Sequence, residues 1–63
     1  MADINIFINK GDRNSAWMIA ETKQGEKWMR KNFSQVTAYI PTVEVESFVR
    51  TLLDEEQLSV EVY

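Results

Sequence analysis

The chain has no cysteine and no histidine. The first absence removes disulfides and thiolate metal sites. The second removes the side chain that most often serves as a general base or as a nitrogen ligand to a metal. Only two glycines occur, Gly11 and Gly25, and they stand far apart, so no glycine-rich phosphate loop can form. Long apolar runs are missing too. Nothing approaches the ~18 residues of a membrane-spanning helix. Asp3, Asn5 and Asn9 interrupt the early apolar stretch where a signal peptide would lie. Any serine nucleophile would lack a histidine partner. Asp54, Glu55 and Glu56 are consecutive, so they do not converge on one helix face and lack the spacing of a calcium loop. A chain of 63 residues is also short for enclosing a pocket of ~300 Å³. The expectation is a cytoplasmic protein that is not an enzyme, with no cofactor, no metal and no membrane partner.

What is present is an ordinary globular composition. Apolar residues make up 44% of the chain, enough for a packed core rather than a disordered segment. One domain over residues 1–63 is the most this length supports. A domain of about this size buries only about 60% of its unfolded surface, so it often leans on a metal, a disulfide or self-association. With the first two excluded, packing or a partner subunit is left. Met1 at the start and a strand at the end give the expectation of a complete chain.

Charge is unevenly spread. Residues 1–35 carry Lys10, Arg13, Lys23, Lys27, Arg30 and Lys31 against Asp3, Asp12, Glu21 and Glu26, a net +2. Residues 36–63 carry Arg50 against Glu44, Glu46, Asp54, Glu55, Glu56 and Glu61, a net −5. Such asymmetry marks either a charged partner or two solvated helix faces.

The last third of the chain reads most clearly. Val45, Phe48, Val49, Leu52 and Leu53 recur at the spacing of one helical face, with Thr42 as cap. Leu58, Val60 and Val62 then alternate with Ser59, Glu61 and Tyr63, which is strand period. Residues 3–9 alternate likewise, with Ile4, Ile6 and Ile8 on one face and Asn5, Phe7 and Asn9 on the other. The turn-rich stretch from Lys10 to Ser15, with Gly11 available for positive φ, leads into a second strand over 16–21 and predicts a hairpin. Thr22–Asn32 is predicted as a helix capped by Thr22, with Asn32 in the left-handed C-terminal position. Gly25 within it costs roughly 1 kcal/mol against alanine unless the helix sits close on the sheet there. Val36–Ile40 is a third strand, ended by Pro41. Anions at the end of the second helix oppose its dipole. Hence that helix stops near Leu53, or Asp54, Glu55 and Glu56 meet a cation elsewhere.

The predicted fold is α+β, a two-layer sandwich of a four-stranded sheet with two helices on one face, in the order β-β-α-β-α-β. Strands three and four should run parallel if they share the sheet. Ile4, Ile6, Ile8, Val36, Ala38, Ile40, Leu58, Val60 and Val62 would face the helices. Asn5, Phe7, Asn9, Thr37, Tyr39, Ser59, Glu61 and Tyr63 would face outward. Strand two adds either Trp17 and Ile19 or Ala16, Met18 and Ala20, since both of its faces are apolar.

An aromatic face that no helix covers has three readings. Phe7, Tyr39 and Tyr63, with Trp17, can merely stabilise the sheet by cross-strand pairing. They can form a protein contact, most simply a symmetric homodimer. They can be a stacking platform for single-stranded nucleic acid, with Asn5, Asn9 and Thr37 reading base edges; Glu61, the −3 net charge and the scarcity of cations there argue against it. A second nucleic-acid or acidic-partner candidate is the ridge of Lys23, Lys27, Arg30 and Lys31 on the first helix. The acidic set Glu44, Glu46, Asp54, Glu55 and Glu56 is a candidate contact for a basic partner, as in an inhibitor of a nucleic-acid-binding protein. The leading expectation is a small interaction module that binds itself or another protein, of the accessory kind found in bacteria, phages and plasmids. A nucleic-acid-binding module is the alternative.

Overall fold

Residues 2–8 and 14–63 are described in a computed structural model. Asn9, the turn through Lys10, Gly11, Asp12 and Arg13, and the proposed role of Gly11 lie outside the described residues. β-Branched residues at alternate positions form β1 (Ile4–Ile8), which pairs antiparallel with β2 (Ser15–Ala20) as a hairpin. Helix α1 (Lys23–Phe33) follows, then β3 (Thr37–Pro41). The second helical segment changes pitch twice: a 3₁₀ turn (Thr42–Glu44), then α2 (Val45–Arg50), then a π turn (Thr51–Glu55). The last strand is β4 (Val60–Val62). This is a mixed four-stranded sheet with two helices, in the predicted order.

The sheet order is β3-β2-β1-β4. β2 is antiparallel to both neighbours, and β4 is parallel to β1, so β3 and β4 point the same way. They form the two edges, with β2 and β1 between them. The segment joining them therefore carries α2 across the sheet.

Strand two turns Ala16 and Met18 into the core and leaves Trp17 outside, which settles its orientation. Ile4, Ile6, Met18, Met29 and Leu52 are fully buried. Each contributes roughly 1.5–3 kcal/mol. Trp28, Phe33 and Phe48 form a three-ring cluster joining α1 to α2, with centroids 5.9–6.4 Å apart. Gly25 is buried because α1 rests on the start of β1. A Cβ there would lie 2.3 Å from the carbonyl oxygen of Asp3.

Several local expectations need correction. Asn32 is not the left-handed residue. The helix runs on to Phe33, whose ring packs on Trp28 and Phe48, and Ser34 takes φ 64° instead. Asn32 stays helical and donates to the Trp28 carbonyl at 2.9 Å. Thr42 does not cap the second helix. Its N–H bonds to the Asn14 carbonyl, while its hydroxyl is buried without a partner, because the helix opens as a 3₁₀ turn after extended Pro41. Pro41 is itself the last residue of β3, at a sheet edge where a missing N–H is tolerated. The helix does not stop at Leu53 but continues to Glu55, and among the described residues no cation pairs with Asp54, Glu55 or Glu56. Leu53 is 48% exposed rather than core. Ile8 and Val62 have the predicted inward parity, yet both are exposed near the ends of their strands.

Thr22 does cap α1: its hydroxyl accepts from the Gly25 N–H at 3.2 Å.

Candidate functional site

Cross-strand register builds the open face. Phe7 lies opposite Trp17, and Trp17 opposite Tyr39. Tyr63 carries the β1–β4 pairing one step further: its N–H donates to the Ile6 carbonyl at 2.8 Å, and its own carbonyl accepts from the Ile8 N–H at 3.1 Å. The result is one continuous row of four rings, Tyr39–Trp17–Phe7–Tyr63, crossing every strand of the sheet. Tyr39 and Tyr63, on the edges, are 72% and 61% exposed; Trp17 is 41% exposed, and Phe7 is half-buried between its neighbours.

Ring geometry limits what the row can do. Phe7 and Tyr63 lie 5.0 Å apart with planes 12° from parallel. That is too close for two rings lying side by side in one plane, so they overlap face to face. Trp17 and Tyr39 are also stacked, at 6.1 Å and 15°. These faces are turned toward each other. A base-stacking platform needs ring faces turned outward.

Beside this row the register places Thr37, Ile19, Asn5 and Glu61. Glu61 is the one charged side chain in the two rows. Its carboxylate accepts from the Tyr63 hydroxyl, which pushes the Tyr63 pKa above its usual 10.0, with burial and the nearby Glu61 and Glu21 charges adding to the rise. The Asn5 Oδ1 is buried without a hydrogen-bond partner. Ser59, read as outward-facing, is engaged at the sheet end instead.

There it meets Asp3, a hub the sequence did not reveal. The Asp3 carboxylate accepts from the Thr22 hydroxyl at 2.6 Å, the Ser59 N–H at 3.0 Å and the Ser59 hydroxyl at 3.2 Å. Its carbonyl accepts from the Glu21 N–H at 2.8 Å. The Thr22 bond, then the Ser59 backbone bond, hold the Asp3 carboxyl below its usual 3.8, against the opposing effect of burial. No sequence signal marks this hub, since its partners lie far along the chain and serine and threonine are common.

The basic ridge is divided. Arg30 lies 3.9 Å from Glu26 on its own helix. Lys27 and Lys31 line a cleft of about 430 Å³ with Gln24, Trp28, Glu56, Gln57 and Leu58. It is larger than the chain length suggested, but it is an open groove rather than an enclosed cavity. Lys23 is exposed at the helix start. The acidic residues do not gather either. Glu46 pairs with Arg50 at 2.8 Å, Glu44 borders a separate cleft with Trp28 and Phe48, and Glu56 lines the lysine cleft. Among the described residues no three acidic side chains cluster to hold a metal, and no helix is long and apolar enough to cross a membrane. Comparison with protein-family models, with curated proteins and with solved structures finds no match to this chain.

Proposed function

We propose that the protein is a non-catalytic interaction module, working in the cytoplasm, whose open sheet face joins it to a second copy of itself. The row of four rings across that face carries the reading. A contiguous exposed apolar surface on a small domain marks a contact. Tyrosine and tryptophan suit such a contact because they bury area while keeping a polar handle. Glu61 lies on an edge strand, so in a two-fold pairing about the middle of the sheet it falls at the rim, where water screens like charges. The absence of lysine and arginine from the two described rows, and the face-to-face rings, favour a protein over a nucleic acid as the occupant.

Size sets the strength. Four strands at about 4.8 Å and about five residues at 3.3 Å give a face of roughly 300 Å² in projection. A standard interface buries about 800 Å² per partner. Association through this face alone is therefore expected to be weak and concentration-dependent.

The test is the solution mass by light scattering over a concentration series, repeated with a mixed-sequence single-stranded oligonucleotide. A dimer that grows with concentration, ignores the oligonucleotide and is lost in Phe7→Ser with Tyr39→Ser is the expected result. A monomer at all concentrations that gains mass with the oligonucleotide would replace this reading with nucleic-acid binding.

A further inference from the structure

We infer that the cleft between α1 and the turn joining the second helix to β4 is a binding site for a peptide segment that brings a carboxylate to Lys27 and Lys31 and lays an apolar side chain on Trp28. It belongs to the helix layer, so it stands apart from the sheet face and does not depend on dimer formation. On one wall Gln24, Lys27, Trp28 and Lys31 form a single stripe of α1, and on the other stand Glu56, Gln57 and Leu58. The volume of about 430 Å³ lies within the range of ligand clefts, roughly 300–1,000 Å³.

The cations in this cleft are uncommitted. Arg30 and Arg50 each have a carboxylate on their own helix. Among the described residues Lys27 and Lys31 have none, not even Glu56 on the facing wall. They lie one helical turn apart, so both ammonium groups can reach one carboxylate.

The floor is fixed in advance. Trp28 is braced by Phe33 and Phe48. The far wall is held by the left-handed Gln57, φ 54°, and by the Leu58 N–H donating to the Leu52 carbonyl at 2.8 Å. A site ordered before binding loses less entropy when it is filled.

Glu56 sets the selectivity. Phosphate or a nucleic-acid strand would bring negative charge against it, whereas a peptide can pair an acidic residue with a neighbouring basic one or with backbone N–H groups.

The experiment is an amide NMR titration of the full chain with a capped tripeptide of glutamate, leucine and lysine, run beside inorganic phosphate. Saturable shifts are expected at Lys27, Lys31, Gln57, Leu58 and the Trp28 indole, with a Kd of about 1 mM or tighter. Phe7, Trp17 and Tyr39 should not move. Lys27→Ala with Lys31→Ala should leave the remaining spectrum intact and weaken binding about tenfold. Glu56→Gln should reduce the preference for the peptide over phosphate. Shifts that do not saturate, equal affinity in the double-alanine variant, or tighter binding of phosphate than of the peptide would each overturn the assignment.

Discussion

Asp3 holds the beginning of β1 to the end of β2, the cap of α1 and the approach to β4, using one carboxylate and its own backbone. Its pKa is lowered on folding, so the ionised form is the stabilising one. That stability is fully present above the unfolded value near 3.8 and is lost as the pH falls through the lower folded value. Asp3→Asn should cost roughly 1–2 kcal/mol in urea unfolding at neutral pH and flatten the acid limb of the stability curve. Tyr63 works in the opposite sense. Its pKa is raised, so its bond to Glu61 contributes below pH 10.0 and is lost as the pH rises through the higher folded value. Gly25→Ala gains helix propensity of about 1 kcal/mol. It also drives a methyl group into the backbone of Asp3, so a net loss of about 1–3 kcal/mol is expected on thermal melting. Gln57 occupies the left-handed region, which costs a non-glycine residue roughly 1–2 kcal/mol. Gln57→Gly should raise the urea midpoint by an amount equivalent to about 1 kcal/mol, less the added freedom of the unfolded chain.

Elements were legible where a period was strong and opaque where pitch changed. The stripe of Val45, Phe48, Val49 and Leu52 faces the core or its margin, as α-helical spacing requires. The 3₁₀ and π turns on either side are invisible to that period. They account for the misread cap at Thr42 and the misplaced helix end, and Leu53, at the margin of the stripe, ends half-exposed. Strand two was ambiguous because both its faces are apolar; only the fit of Ala16 and Met18 beneath the helices decides between them. Phe7, Tyr39 and Tyr63 were readable as outward-facing from alternation alone, whereas Trp17 waited on that fit and the joining of all four into one row depends on register. Phe48 links the two helices through Trp28 and Phe33. Phe48→Ala should therefore cost about 2–4 kcal/mol, somewhat below a fully buried phenylalanine, with the loss visible as a lower urea midpoint.

At the scale of the whole molecule, the order β3-β2-β1-β4 could not be read from the sequence, because apolar alternation says which face a strand buries but not which neighbour it takes. The proposed pairing of open faces has a thermodynamic signature of its own. If a second copy covers the aromatic row, the unfolding midpoint should rise with protein concentration, and Phe7→Ser with Tyr39→Ser should abolish that dependence. A midpoint independent of concentration in the native protein would point to a row that serves the sheet alone.

The placement of β4 beside β1 also governs timing. The hairpin of β1 and β2 and its pairing with β3 can form early in folding, since these strands follow one another closely. The other side of β1 must wait for residues 59–63, which close against it across almost the entire chain. Closing so long a loop carries an entropy cost that local pairing avoids. Until then a folding chain presents a bare strand edge and a row of three rings without its fourth. During that interval the rate of closure, rather than the stability of the finished fold, sets how long the edge stays open to other chains.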